Sequence, residues 1–229
     1  MNINEAAAML AKKYSVDKKI EINPNNTVTI DDKTYPLMSW RSERRFIEFK
    51  NLASGEYVKG ISTMRICRID SADKDLFDIF YREADICSWV LSDKFAEVFA
   101  IKNDKALNAI LQTKKGYVCS FEIAATLSDD AEIVDKHEII AEKGVICDRG
   151  IDVQIPQSSI YVLGADGTKD EYTDVDAELF GLSYDDCAKV RQAFNIAKNS
   201  CDLTEDAEHI KAVCSAAKKS CETLENIIL

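Results

Sequence analysis

Asp78 and Arg82, in the segment DIFYREAD, are the residues whose types and spacing first suggest chemistry. Residues four apart lie on one face of a helix, so their side chains can meet. A carboxylate and a guanidinium at this spacing form either a surface ion pair or an anion- or sugar-binding pocket in which the arginine donates to the ligand. Arginine stays protonated near neutral pH, so Arg82 cannot act as a general base.

Two other side chains, Trp89 and His137, could contribute to a site. Trp89 shares the helical face of Asp78 and Arg82 and could stack on a sugar ring, although an indole also fits a core or an interface. His137 lies within a strand pattern, in DKHEI, which favours a structural role over a catalytic one. A polar run that stops the next strand is interpreted as a turn: Gln154, Pro156, Gln157 and Ser158.

The cysteine and histidine content argues against a metal site. The chain has eight cysteines and two histidines, without a C-x-x-C pair or any zinc-ligand spacing. Each cysteine falls inside an apolar pattern, so we expect reduced, mostly buried thiols and no disulfide framework. The eight are Cys67, Cys87, Cys119, Cys147, Cys187, Cys201, Cys214 and Cys221.

Phosphate-binding motifs are absent from the sequence. A dinucleotide site needs a strand, a glycine-rich turn and a helix whose free N–H groups meet the pyrophosphate. The chain holds only eight glycines and no G-x-G-x-x-G, P-loop, G-x-S-x-G or H-E-x-x-H. We therefore expect that this chain alone binds no nicotinamide cofactor.

The charge and the hydropathy of the chain argue against nucleic acid and membrane partners. Forty acidic against 29 basic residues give a net charge of −11, which would repel a nucleic acid backbone. The densest basic spot, Arg41 with Arg44 and Arg45, is too small to reverse that sign. No apolar stretch has the length of a signal peptide or a membrane span, so the expectation is a cytoplasmic protein with no membrane partner.

The first half alternates between short helices and strands. The patterns predict a helix over Asn4–Tyr14, a hairpin through Ile20–Asp32, a helix over Ser42–Leu52 and a strand over Tyr57–Ile69. The clearest helix is Asp75–Leu91, in which one apolar stripe follows the helical period: Phe77, Phe80, Ala84, Cys87 and Leu91.

From Phe95 to Leu163 the pattern is mostly strand, with short polar connections that favour antiparallel neighbours. Two helices close the chain, one from Ser183 and one after Thr204. The predicted fold class is α+β: a large, mainly antiparallel open β-sheet with helices packed on one face. We expect one domain over 1–229, with a helix and hairpin lead-in over 1–40 and the sheet domain over 41–229.

Several segments resemble the C-terminal sheet domain of the glucose–fructose oxidoreductase / inositol dehydrogenase family of nicotinamide-dependent enzymes. NINEAAAMLAKK looks like the helix after that family's E-K-P motif, and Arg45-Phe46 with SGEYVKGISTMRICRI looks like the lead into its first long strand. DICSWVLSDKFAEVFAI, the stretch from Gly116 to Gly144 and the closing helices match its later elements. The resemblance covers nearly the whole chain, and the Rossmann domain has no counterpart.

The resemblance also implies site residues. In the family, the E-K-P lysine and a D-x-x-x-H pair assist proton transfer and orient a sugar. Aligned on that pair, Asp78 takes the aspartate position and Arg82 the histidine position. The lysine and the glycine-rich loop before the pair are lacking, so no catalytic residue is assigned, and Asp78, Arg82 and Trp89 remain candidate substrate-binding residues.

Two functions follow from the resemblance. The first is a non-catalytic module for oligomerisation, interaction or ligand binding, with a homo-oligomer formed through the open sheet face. The alternative is the substrate-binding part of an NAD(P)-dependent sugar or polyol oxidoreductase, whose Rossmann domain is on a partner chain or lost by truncation. The altered histidine position and the missing loop favour the first.

Overall fold

A computed structural model describes residues 2–55, 58–128, 130–148, 159–164, 169–173 and 180–229. The chain divides into two compact units, Met1–Ile47 with Asp174–Glu208, and Glu48–Thr173 with His209–Leu229. The single domain expected from the sequence stays a prediction. None of the helices in the described ranges combines the length and apolar character that a membrane span needs.

The described elements comprise five α-helices and twelve β-strands. The helices are α1 (Ile3–Lys13), α2 (Arg44–Ser54), α3 (Leu76–Leu91), α4 (Tyr184–Asn199) and α5 (Thr204–Thr223). The strands are β1 (Ile20–Asn23), β2 (Thr27–Ile30), β3 (Lys33–Pro36), β4 (Ile61–Ser71), β5 (Phe95–Lys102), β6 (Ala106–Thr113), β7 (Val118–Leu127), β8 (Val134–Ala141), β9 (Gly144–Cys147), β10 (Ser159–Gly164), β11 (Lys169–Thr173) and β12 (Ile227–Ile228).

The first unit combines α1 and α4 with a three-stranded antiparallel sheet in the order β1-β2-β3. Asn2 caps α1, and Glu5 completes a capping box. Asn4 instead uses its side-chain oxygen to accept from the Ile22 amide at 2.8 Å, which ties the helix to β1. The predicted hairpin is confirmed, and β3 extends it by one strand that the local pattern does not predict.

The second unit is built on a nine-stranded sheet in the order β11-β10-β9-β8-β4-β7-β6-β5-β12. Every neighbouring pair is antiparallel except β4 and β7, which run parallel. The α+β class and the mainly antiparallel sheet are therefore confirmed. The parallel pair departs from the expectation drawn from short connections because α3, β5 and β6 together form a long crossover between the two strands.

Alternation along the strands separates an inner face, which α3 covers, from an outer face. Leu107, Ala109 and Leu111 of β6 are buried, while Asn108 and Ile110 between them are exposed. On the inner face, Phe80 of α3 packs edge-on against Phe121 of β7 with ring centroids 5.3 Å apart. The large side chains that are buried in this way form the core of the unit.

The predicted helices are confirmed with small shifts at their ends. Asp75 is the N-cap of α3 rather than its first residue, and Ser183 caps α4 as expected. The predicted strand over Tyr57–Ile69 is β4, which begins at Ile61 and ends at Ser71. The turn residues Gln154, Pro156, Gln157 and Ser158 lie outside the described residues.

Candidate functional site

Helix α3 places the three residues selected from the sequence in different surroundings. Asp78 is exposed near its N-terminus, whereas the Arg82 side chain is only 16% exposed. Trp89 is half-buried and lies about 16 Å further along the helix axis than Asp78, at 1.5 Å per residue. The three share a face, as the period requires, but they do not form one compact pocket.

Trp89 is held by a lysine. The Lys50 ammonium lies 4.6 Å from the centroid of the indole ring and donates to the Trp89 carbonyl oxygen at 2.7 Å. A cation over an indole face is a stabilising contact, and here it also satisfies a carbonyl near the end of α3. These contacts join the C-terminal end of α3 to α2.

Arg82 turns toward the inner face of the sheet, where it meets carboxylates. It donates to Glu83, and its second terminal nitrogen lies 3.5 Å from Asp135 of β8. Arg68 of β4 bonds Asp135 at 2.8 Å and Asp70 at 2.8 Å. Arg68 and Asp135 are also directly opposite each other in the β4–β8 ladder, so the strand pairing itself brings their charges together.

A fully buried histidine completes this group. His137 Nδ1 is 2.5 Å from Asp148 Oδ2, and His137 Nε2 is 2.7 Å from Glu83 Oε2. All three side chains are fully buried. We call the group the charged cluster: Arg68, Asp70, Arg82, Glu83, Asp135, His137 and Asp148.

The charges of the cluster stabilise one another against the cost of burial. Burial acts to lower the pKa of His137, but the carboxylates of Asp148 and Glu83 outweigh it and raise that pKa to about 10. Burial acts to raise the pKa of Glu83, yet the charges of Arg82 and His137 outweigh it and the pKa is lowered. The cluster therefore sets three basic side chains among four acidic ones.

The spacing within the cluster also resembles that of a metal site. Ligand atoms of Glu83, Asp135 and His137 lie within 4.8 Å of one another. However, Arg68 and Arg82 already supply cations to these carboxylates, and the 2.7 Å separation of His137 Nε2 and Glu83 Oε2 is a hydrogen-bond distance. The chemistry that this arrangement supports is ion pairing rather than metal binding.

The β4–α3 connection is a strand–turn–helix step, which is where a dinucleotide phosphate would be expected. The turn residues 72–75 include no glycine but contain Asp73 and Asp75. Asp75 Oδ1 accepts from the amides of Phe77 and Asp78, at 2.8 and 3.2 Å, so the helix donors that a phosphate would use are already bonded to a carboxylate. The residues at this step do not fit a nicotinamide dinucleotide.

The outer face of the sheet presents a second candidate region. Phe99 and Ile110 are directly opposite each other on β5 and β6, and Ile101 lies two residues further on. Val118 of β7 is diagonal to Ile110, because Ile110 pairs with Ser120. The four side chains are 37% to 56% exposed and form what we call the outer apolar cluster.

No protein-family model matches the sequence, and no curated protein matches it. Solved structures do share its fold. Levoglucosan dehydrogenase in complex with NADH and levoglucosan aligns with a TM-score of 0.69 and 13% identity, over 85% of this chain and 66% of the other. A myo-inositol dehydrogenase from Corynebacterium glutamicum aligns with a TM-score of 0.63 and 14% identity, over 85% of this chain and 64% of the other. An oxidoreductase from Thermotoga maritima aligns with a TM-score of 0.65 and 13% identity, over 85% of this chain and 63% of the other.

These alignments confirm, at the level of the fold, the resemblance seen in the sequence. The chain has the fold of a large part of these oxidoreductases and spans just under two thirds of their length. Identities of 13% and 14% establish a shared fold and no shared activity, because one fold hosts many functions.

Proposed function

We propose that this chain is a non-catalytic sheet domain with the fold of sugar and polyol dehydrogenases, and that it acts as a self-association module. In this proposal, the outer face of the nine-stranded sheet contacts the same face of a second copy. Such a contact is isologous, so each residue of the patch is used twice.

The outer apolar cluster is the observation on which this proposal rests. Phe99, Ile101, Ile110 and Val118 stand on consecutive strands of one face, where antiparallel sheets normally show polar side chains to water. Ile228 of β12 pairs with Glu97 and adds another exposed apolar side chain at the same edge. Contiguous exposed apolar groups of this kind mark contact surfaces.

The charged cluster supports the non-catalytic part of the proposal. Arg82 stands where the resemblance places a proton-transferring histidine, and a guanidinium does not lose its proton near neutral pH. It is also paired with Glu83 and Asp135. An arginine that is already neutralised by two carboxylates is a poor donor for an anionic ligand.

Association can be tested by measuring the mass of the untagged protein by light scattering, over roughly a hundredfold range of concentration. We expect a dimer or a larger homo-oligomer for the natural sequence. Ile110→Lys should weaken association by about 100-fold or more, because two buried isoleucines are lost per isologous contact.

Ile133→Lys is the matched control, since Ile133 is also exposed but precedes β8 and is not part of the outer apolar cluster. It should associate like the natural protein. A monomer at every concentration, or an equal effect of both substitutions, would contradict the proposed function.

The second candidate function is the substrate-binding part of a two-chain sugar or polyol oxidoreductase. It is favoured by the likeness to levoglucosan dehydrogenase in complex with NADH, of which this chain spans only 66%. Asp78, Arg82 and Trp89 would then contribute separately to substrate binding, since they share one face of α3 without forming one pocket, and a separate nucleotide-binding chain would supply NAD(P). Titration of this chain with NADH should show no binding by itself; tight binding would contradict both candidates.

A further inference from the structure

The bridge formed by Glu83, His137 and Asp148 joins three separate parts of the second unit. Glu83 lies on α3, His137 on β8, and Asp148 directly after β9. The backbone adds to it, since the His137 amide donates to Asp148 Oδ1 at 2.6 Å and the Asp148 amide donates to the His137 carbonyl oxygen at 3.2 Å. The histidine ring thus contacts both carboxylates of the bridge.

The donors and acceptors around the His137 ring indicate its protonation state. Asp148 already accepts the His137 amide with its second oxygen, and Glu83 accepts from Arg82 with its second oxygen. An ionised carboxylate can only accept, and the remaining oxygen of each carboxylate faces a ring nitrogen. Both ring nitrogens of His137 must then donate, and this requires the imidazolium.

We propose that His137 is a positioning residue that holds a permanent buried proton, and that this proton joins α3 to the β8–β9 hairpin and thereby fixes Glu83 under Arg82. A neutral ring could donate to one carboxylate only. The other carboxylate would then face a nitrogen lone pair within 2.5 to 2.7 Å, in a site where all three side chains are fully buried.

The surrounding charges agree with this assignment. Glu83 from α3 and Asp148 contact the ring directly, and Asp135 Oδ1 of β8 lies 3.7 Å from Nδ1. Beyond them, Arg82 of α3 and Arg68 of β4 pair with Glu83, and Asp70 of β4 pairs with Arg68. On the remaining side, the ring of Phe49 from α2 meets the imidazole nearly edge-on, at a centroid distance of 6.4 Å. The cluster has four carboxyl groups and only two arginines. This excess of acidic groups favours a positive charge on the imidazole.

Nitrogen NMR of the ring tests the proposal directly. The chain has two histidines, so His209→Gln in an untagged protein leaves His137 as the sole imidazole in the spectrum. At about pH 8, above the usual histidine pKa of about 6.5, we expect both ring nitrogens to show bonded protons that exchange slowly with water. A ring with one unprotonated nitrogen at this pH would overturn the proposal.

Asp148→Asn tests the positioning role, because its single amide oxygen can still accept from the ring, while its NH2 group takes the place of the oxygen that accepts from the His137 backbone amide. Loss of one charge should lower the pKa of His137 by about 1–3 units. Glu138→Gln is the matched control on the same strand, because Glu138 pairs with the exposed Arg65 on the outer face. Equal titration of His137 in both variants would overturn the positioning role.

Amide exchange adds a readout for the joined elements. In Asp148→Asn, the amides of β8 and β9 should lose protection between about pH 6 and about pH 9 after correction for the base-catalysed intrinsic exchange rate, because a ring that has lost its proton no longer joins them to α3. Exchange with the same excess acceleration in Glu138→Gln would show that the hairpin is held by other contacts, contrary to the proposal.

Discussion

The charged cluster and the outer apolar cluster reverse the usual placement of polar and apolar side chains. The first puts Glu83, His137 and Asp148 where no water reaches them, and the second leaves Phe99 and Ile110 open to solvent. Buried charges are tolerated because each is paired, whereas exposed apolar groups stay unfavourable until another surface covers them. The charged cluster therefore pairs its groups within one chain, whereas the outer apolar cluster is the surface on which we propose that a second copy packs.

The largest expected effect comes from removing one charge of the inner region. Glu83→Gln leaves Arg82 and His137 without their shared carboxylate, so we expect a loss of ~3–5 kcal/mol in the free energy of unfolding. Glu138→Gln removes an equivalent carboxylate from Arg65 on the outer face, where the arginine side chain is 57% exposed. That change should cost ~0–1 kcal/mol. Urea unfolding of both variants measures the difference, and equal losses would refute the contrast between the faces.

The pH dependence of stability should also separate the two regions. Because the pKa of His137 is about 10 in the folded chain, above its ordinary value, its contribution is complete below about pH 6.5 and is lost as pH rises toward 10. The free energy of unfolding that His137 contributes falls by up to ~1.4 kcal/mol per pH unit. The loss therefore amounts to roughly 3 kcal/mol at about pH 9.

Other groups titrate in the same range, so the measured quantity is the difference between the natural chain and His137→Gln. That difference in unfolding free energy should shrink steadily from about pH 6.5 to about pH 9. A difference that does not vary with pH would mean that His137 is neutral in the folded protein.

Salt should give the smallest effect and should act only on the outer region. Each copy carries a net charge of −11, so two copies repel each other at low ionic strength. Raising the salt concentration from about 0.01 M to about 0.15 M shortens the screening length from about 30 Å to about 8 Å, and association should strengthen several-fold. Light scattering measures this change. The stability gap between Glu83→Gln and Glu138→Gln should stay nearly constant, since buried pairs are poorly screened.

Much of the fold could be predicted from local patterns. The stripe Phe80, Ala84, Cys87 and Leu91 predicts α3, and the strand pattern from Phe95 to Leu163 predicts the region that contains β6. The parallel pairing of β4 with β7 could not be predicted, because no local pattern reports which distant strand lies alongside. The strand β3 was missed because KTYP carries almost no apolar alternation.

The charged cluster could be predicted only in part. Glu83 lies three residues after Phe80 and four before Cys87, within an apolar stripe, and a charge in that position signals a buried partner. Asp135, His137 and Ile139 likewise share one face of β8. The sequence does not show that Glu83 meets the β8 residues, because their contact depends on the pairing of β8 with β4 beneath α3.

The order of strands in the large sheet has a consequence for how the chain folds. The β5–β6–β7 meander and the β8–β9 hairpin each form between neighbours in sequence, so both can form quickly. Strand β4 joins them, but its partners are distant: Thr63 pairs with Val118, and Arg65 with Glu138. Closing such long loops is entropically slow. Insertion of β4 should therefore be the rate-limiting step of folding. The ion pairs of Arg65 and Arg68 with the carboxylates of β8 should then form last.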